Sequence, residues 1–149
     1  MLYLLFSLIV LIPVFIGFGD IFQRTFGKFS FGISAKIVTG MLTVSVIWTL
    51  FSFFTALNIA IELSTVSVGL LAFFSYGTYH QLWKFLSSVK ISFWLPTIAA
   101  IFFASFAPFI LDHFGYYVPT IKWIAEVGLV RGISNLDLLL GQMSVWHIL

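Results

Sequence analysis

Four long runs of apolar residues, separated by short polar breaks, dominate the pattern of the chain. The runs cover residues 2–19, 37–57, 63–79 and 91–111, and none of them contains a charged residue. About 20 apolar residues in a helix cross the roughly 30 Å of hydrocarbon in a bilayer. The pattern therefore predicts an all-α membrane protein with about four transmembrane helices.

The polar breaks predict how these helices are oriented. Residues 20–36 carry three cations and are predicted to form a partly immersed loop, and residues 80–90 form a second cationic break on the same side. The acids Glu62, Asp112, Glu126 and Asp137 fall on the other side. By the positive-inside rule the cationic side is cytoplasmic, so the N-terminus and residues 112–137 are predicted to be extracytoplasmic.

A short amphipathic segment, residues 119–127, lies in the extracytoplasmic loop that follows the fourth run. Ile121 and Ile124 share one helical face, and Lys122 lies on the opposite face. Pro119 suits the first turn of a helix and Gly128 suits its C-terminal cap. The pattern predicts a short helix lying in the membrane surface, whereas residues 138–149 are too few to cross a bilayer.

The composition agrees with a membrane setting and excludes several classes of protein. The 149 residues are 61% hydrophobic and 8% charged, too few polar residues to cover a soluble globule. A net charge of +2 is too small for a nucleic-acid-binding surface, so no nucleic acid is predicted as a partner. Cysteine is absent, which excludes disulfides, thiolate metal sites and cysteine nucleophiles.

Asp112 stands directly after the fourth run, where a helix would reach the boundary between membrane and water. Partial desolvation makes a carboxylate a better base, so Asp112 is a candidate general base for a membrane-borne substrate. Spacing alone favours a polar stop that ends the helix among the headgroups. His113 beside it is a poor metal signature, because metal sites normally use three or more protein ligands. No metal site is predicted, and a divalent metal is left open as a cofactor.

The same loop contains two cations and two tyrosines, and each of these pairs has two possible roles. Lys122 and Arg131 could bind a lipid-borne phosphate, or they could be attracted to anionic headgroups in general. Tyr116 and Tyr117 could stack on a sugar or donate a hydrogen bond, or they could anchor the protein in the aromatic belt.

A resemblance to a known superfamily rests on this loop, Leu111–Leu138. The pattern is Asp112-x-x-x-Tyr116-Tyr117-x-x-x-Ile121-Lys122-Trp123-Ile124, followed by Gly128-Leu129-Val130-x-Gly132-x-x-Asn135-Leu136. It resembles the first large extracytoplasmic loop of a group of bacterial polytopic proteins that look like C-type (GT-C fold) membrane glycosyltransferases. In that superfamily an acid at the end of a span precedes an amphipathic helix along the membrane, and a polyprenyl phosphate or pyrophosphate carries the sugar donor.

The resemblance implies a role for each matching residue. Asp112 would be the catalytic base that takes a proton from the acceptor hydroxyl as it attacks the anomeric carbon. The substrate-binding residues would be His113, Tyr116, Tyr117 and Asn135, with Lys122 or Arg131 neutralising the leaving phosphate. Two departures stand out: His113 occupies a place where the superfamily often has a second acid, and three spans precede the loop instead of one.

The resemblance also implies a setting. The chain would lie in the bacterial inner membrane, with membrane lipid, a polyprenyl-phosphate sugar donor and other envelope-glycan assembly proteins as partners. Proteins of that class are several times longer, so we expect an N-terminal portion of a larger polytopic bundle that is inactive by itself.

Three other classes of membrane protein are alternatives to a glycosyltransferase. A small membrane scaffold or assembly protein without catalysis would use the 19 Phe and five Trp as lipid contacts. A polymerase of lipid-linked glycans shares the donor and the membrane side, and Lys122 and Arg131 do not separate it from a transferase. A transport pathway requires charges within the spans, and none of the four predicted spans carries one.

Overall fold

The computed structural model describes residues 2–27, 30–104 and 118–128, and this part of the chain is helical without any strand. Its six helices are α1 (Leu2–Phe26), α2 (Ile33–Ser52), α3 (Ile59–Ser75), α4 (Thr78–Ser88), α5 (Ile91–Ala104) and α6 (Val118–Val127). The prediction of an all-α fold is confirmed for these residues.

The described residues contain fewer candidate membrane crossings than the four predicted. Among the described residues, two helices are long and apolar enough to span a bilayer, Leu5–Phe26 within α1 and the whole of α2. The α3 and α4 helices pass the same test only when taken together, and they are bent by 81° at the break between them. The α5 helix is apolar over Ile91–Phe103 but shorter than a crossing. The described chain therefore offers two spans, or three if the bent pair is one span, and not four. Two apolar helices of this length indicate a membrane protein.

The helices have other bounds than the predicted spans at the positions where polar residues interrupt the apolar runs. The predicted loop at 20–36 is mostly helix, because α1 continues to Phe26 and α2 begins at Ile33. The predicted third span, 63–79, is interrupted at Gly77, whose φ of 67° lies in the left-handed region. Of the predicted fourth span, 91–111, α5 covers residues up to Ala104, and the remainder lies outside the described residues.

The described residues group into two compact units. The first unit comprises residues up to 41 together with 66–104, and the second comprises 42–65 together with 118–128. In the first unit, Ile16, Ile33 and Phe73 form a buried cluster, with Ile12, Ile37 and Leu82 packed against it. In the second unit, Leu57 and Ile124 are buried against Trp48 and Ile61.

Glycines bring the helices of the first unit into backbone contact. A Cβ atom on Gly40 of α2 would collide with the Phe15 carbonyl of α1, and one on Gly17 would collide with the Gly69 carbonyl of α3. Small residues at helix contacts are typical of membrane bundles, where close van der Waals packing replaces the hydrophobic effect as the force between helices. The sequence therefore places glycine where α1 meets its two neighbours.

The α2 helix has an outward apolar stripe of the kind that faces lipid. Val38, Leu42, Val46 and Leu50 recur at every fourth position, and each is more than half exposed. A stripe with this spacing lies along one side of the helix. In water it would be an unfavourable surface, whereas in a bilayer acyl chains cover it.

Candidate functional site

The first unit contains an ion pair that is almost completely removed from solvent. Lys36 Nζ lies 2.7 Å from Asp20 Oδ1, and the two side chains are 5% and 7% exposed. Thr78 Oγ1 donates a hydrogen bond to Asp20 Oδ2, and Lys36 Nζ donates one of 3.0 Å to Gln81 Oε1. We call these four residues the ion-pair cluster. It joins α1, α2 and the first turn of α4.

Local sequence explains why both charges point inward. Asp20 follows Ile16 by one helical turn, and Ile16 is fully buried. Lys36 follows the buried Ile33 by three residues and therefore lies on the same face of α2. Gly19 allows the close approach, since a Cβ there would collide with the Lys36 backbone. The helical period thus turns both ionisable groups toward the same core.

The cluster changes one conclusion from the sequence. Asp20 lies inside the candidate span Leu5–Phe26, so the absence of charges from the spans no longer argues against a transport pathway. Ionisable groups at membrane depth are expensive and usually pair with one another. Here the carboxylate accepts from both Lys36 and Thr78, and Lys36 also reaches Gln81. Because these groups bond to one another, their first role is to hold α1, α2 and α4 together.

Sequence reasoning missed this cluster although a signal for it was present. The sequence pattern predicts loop positions for Asp20 and Lys36, because charges interrupt apolar runs. No proline or run of turn-forming residues separates Gly19 from Arg24, however, and the spacing from Ile16 to Asp20 continues the buried face of α1. A charge that continues the apolar face of a helix predicts a buried partner on another element.

The second candidate site is α6 in the second unit. Thr120 and Ile124 are buried, and the Ile124 carbonyl accepts hydrogen bonds from Leu57 N at 3.3 Å and from Gly128 N at 3.0 Å. Gly128 ends the helix with a φ of 83°, and a Cβ there would lie 2.9 Å from the Ser52 and Thr55 carbonyl oxygens. The helix predicted for residues 119–127 is therefore present as Val118–Val127 and is held by one face.

Lys122 lies on the free side of α6. Its side chain is 72% exposed, and its Nζ lies 3.9 Å from Glu126 Oε1, a surface pair one turn apart. Such pairs contribute about 0.5 kcal/mol or less, so the ammonium is available to another anion. Val118, Ile121 and Val127 are also exposed on this helix. The arrangement offers a cation beside apolar side chains.

Lys122 is the predicted site residue that lies within the described ranges. Asp112, His113, Tyr116, Tyr117, Arg131 and Asn135 lie outside the described residues. Within the ranges that the structure does describe, no three His, Asp or Glu side chains are grouped as a metal site would need. The roles assigned to the six residues stay predictions.

An apolar groove lies at the C-terminal end of α2 in the second unit. Its volume is about 290 Å³, and its lining residues are Ile47, Leu50, Phe51 and Phe54. The lining has no polar surface. Its shape and chemistry suit a hydrocarbon chain.

Ile124→Ala is expected to destabilise the second unit by about 2–5 kcal/mol, because the lost methyl groups leave a cavity against Leu57. Hydrogen exchange of the α6 amides should accelerate accordingly. Ile121→Ala is the matched control: it removes the same side chain from the same helix, but Ile121 is 49% exposed. We expect a change within about 0.5 kcal/mol for the control. Equal effects of the two substitutions would show that α6 is not held through Ile124.

Comparison with known proteins gives one match. A family model described as a domain of unknown function, DUF8201, matches residues 1–149. No curated protein and no solved structure matches the chain. The match covers both units and names no activity, so the function must be argued from the residues.

Proposed function

The chain belongs to the DUF8201 family, and from its own residues we propose that it is part of an integral membrane glycosyltransferase of the bacterial inner membrane. The sugar would come from a polyprenyl-phosphate-linked donor on the extracytoplasmic side. The observation that carries the proposal is α6, a helix held by Ile124 that exposes Lys122 among apolar side chains. The loop that contains α6 is also the part of the sequence that resembles the GT-C fold enzymes.

The exposed side of α6 matches the chemistry of a phosphorylated lipid. A lysine ammonium binds phosphate by charge-assisted hydrogen bonds, which are about twice as strong as neutral ones. Val118, four residues before Lys122, and the neighbouring Ile121 would enter the acyl region beside it, as apolar residues do in helices that lie in the membrane surface. Because Ile124 and Gly128 already fix the helix, little ordering is needed when the donor binds.

A second feature supports a lipid-borne donor. The groove lined by Ile47, Leu50, Phe51 and Phe54 belongs to the same unit as α6. A polyprenyl chain is a hydrocarbon, and within a bilayer close van der Waals packing against these side chains would hold it there. Lys122 would hold the phosphate end of the donor, and this groove would hold part of its tail.

The proposed reaction assigns the chemistry to the loop residues. Asp112 accepts the proton of the acceptor hydroxyl as its oxygen forms a bond to the anomeric carbon. The bond from that carbon to the phosphate oxygen breaks, and polyprenyl phosphate leaves with its charge neutralised by Lys122 or Arg131. His113, Tyr116, Tyr117 and Asn135 would bind the sugar and the acceptor.

Sugar transfer in membranes that contain the protein in its natural form tests this proposal. Asp112→Asn should abolish transfer from a radiolabelled polyprenyl-phosphate sugar while crosslinking of a photoactivatable donor persists. Lys122→Gln should weaken donor crosslinking about tenfold or more, because a hydrogen bond to a charged group contributes about 1.5–3 kcal/mol. Lys122→Arg should keep most of it. Glu126→Gln, on the same face of α6, is the control that should bind the donor normally.

A non-catalytic scaffold is the second candidate, and the ion-pair cluster favours it. Its four groups satisfy one another and hold three helices together, as a protein built for assembly would require. Donor crosslinking persists in Asp112→Asn under both candidates, so envelope glycan distinguishes them: a scaffold would tolerate Asp112→Asn without loss of glycan. Products that grow by repeated lipid-linked units would instead identify a glycan polymerase.

A further inference from the structure

The α4 helix separates its apolar and polar residues onto two sides. At 3.6 residues per turn, Thr78, Tyr79, Leu82, Trp83, Phe85 and Leu86 lie on one side and His80, Lys84, Ser87 and Ser88 on the other. Leu82 packs against the core of the first unit. Tyr79 and Trp83 remain exposed, Trp83 by 76%. Packing within the described residues therefore covers only part of the apolar side.

The direction of α4 is set by the break at its start. Gly77 has a φ of 67°, which a residue with a side chain rarely adopts, and α4 leaves the axis of α3 at 81°. The first turn of α4 is then fixed from two sides: Thr78 bonds to Asp20, and Gln81 accepts from Lys36. The helix therefore runs nearly perpendicular to α3 instead of continuing it.

The ion-pair cluster also determines the depth of α4. Asp20 lies about 9 Å along the axis from the end of α1 at Phe26, and Lys36 lies about 5 Å from the start of α2 at Ile33. Both helices are candidate spans, so these ends lie at one membrane surface. Helices that lie in the surface are immersed by about 5–10 Å. Thr78, in contact with Asp20, begins α4 at that depth.

The charge on this part of the first unit has one sign. Asp20 is the only acidic residue in the two sequence ranges of the first unit, up to 41 and 66–104, and Lys36 neutralises it. Lys84 and Lys90 are exposed on and just after α4, and the exposed Arg24 lies over the Tyr76 ring at 4.0 Å. Cations of this kind at a membrane surface attract anionic headgroups.

We propose that α4 lies in the plane of the membrane surface and binds anionic phospholipid. Tyr79, Trp83 and Leu86 are immersed among the acyl chains, and Lys84 and Lys90 contact headgroup phosphates. The ion-pair cluster and Gly77 hold the helix in this orientation. The bent pair α3 and α4 is thus a membrane-entering helix followed by a surface helix, and not one broken span.

Nitroxide labels test the orientation directly, since the chain contains no cysteine. Single cysteines at positions 79, 80, 83, 84, 86 and 87 would be labelled in the full chain, reconstituted in phosphatidylcholine and phosphatidylglycerol vesicles. Depth is read from label accessibility to oxygen and to a nickel chelate. The expected depths alternate with the helical period, deep at 79, 83 and 86 and shallow at 80, 84 and 87. Labels at 38, 42, 46 and 50 on α2 are the control: their depth should rise toward the middle of the span and fall again, by about 6 Å at most per four residues.

A steady change of depth along α4 would overturn the proposal in favour of a broken span. High nickel accessibility at every α4 position would overturn it in favour of a helix outside the bilayer. The lipid preference is measured separately, from the association of spin-labelled phosphatidylglycerol relative to phosphatidylcholine. Lys84→Gln with Lys90→Gln should lower the preference about fivefold per lysine. Lys84→Arg with Lys90→Arg should retain it, and an unchanged preference in the glutamine variant would exclude lipid binding by these residues.

Discussion

Lys36→Met alone is expected to lower the free energy of unfolding by about 3–5 kcal/mol, because it leaves the Asp20 carboxylate buried without its counter-ion. Thr78 would still donate one hydrogen bond, but a hydroxyl does not neutralise a carboxylate. Unfolding in detergent micelles, followed by helical circular dichroism during an SDS titration, measures the change. We expect the midpoint to shift to much lower SDS.

The matched double variant separates loss of the pair from loss of packing. Asp20→Leu together with Lys36→Met replaces both charges by apolar side chains and should recover most of the stability. Recovery would be incomplete because the buried Thr78 hydroxyl loses its acceptor, at a cost of about 1–3 kcal/mol. Lys84→Met, at an exposed lysine, should change stability by less than about 0.5 kcal/mol. If the stability losses of Asp20→Leu and Lys36→Met, each measured alone, add up to that of the double variant, the ion pair does not couple the helices.

Gly40→Ala is expected to destabilise the first unit by about 1–3 kcal/mol despite the better helix propensity of alanine. The added methyl group would meet the Phe15 carbonyl, which belongs to the backbone of α1 and cannot rotate away. Relief requires that α1 and α2 move apart along their whole contact. The loss therefore exceeds the gain of about 1 kcal/mol that alanine brings to a helix interior.

Gly32→Ala provides the control for this prediction. Gly32 precedes α2, is exposed and would have nothing within 4 Å of an added Cβ. The same SDS titration should show a change within about 0.5 kcal/mol for Gly32→Ala. If Gly40→Ala behaves like Gly32→Ala, the backbone contact between α1 and α2 is not as close as the structure has it.

The candidate site on α6 was predictable in part. The apolar spacing, Pro119 and Gly128 predicted a helix at 119–127, and the structure has one at Val118–Val127. The sequence pattern predicts that Ile121 and Ile124 share one apolar face and does not distinguish which of them is buried. Only Ile124 is buried, because Leu57 lies on that side of the helix, whereas Ile121 is 49% exposed. Periodicity identifies a face but not which of its residues meets a partner.

The ion-pair cluster was not predictable from any one segment. An isolated charge in an apolar run is costly in a membrane, so the sequence pattern predicts a loop at Asp20 and Lys36. The cost is removed only when the other charge, Thr78 and Gln81 lie within bonding distance. These partners come from two other helices, and no local window of the sequence contains them.

The amino-acid sequence by itself determined that the chain belongs in a membrane, that it is helical and that α6 is amphipathic, because these properties depend on composition and on a period of 3.6 residues. The tertiary structure alone decided how many helices can span, where α3 ends and α4 turns away, and that Asp20 and Lys36 are buried. The physical reason is that burial of a charge and the direction of a helix after a glycine are set by contacts between distant segments. A hydrophobic pattern is a property of one segment of the chain, whereas an ion pair between helices depends on two segments.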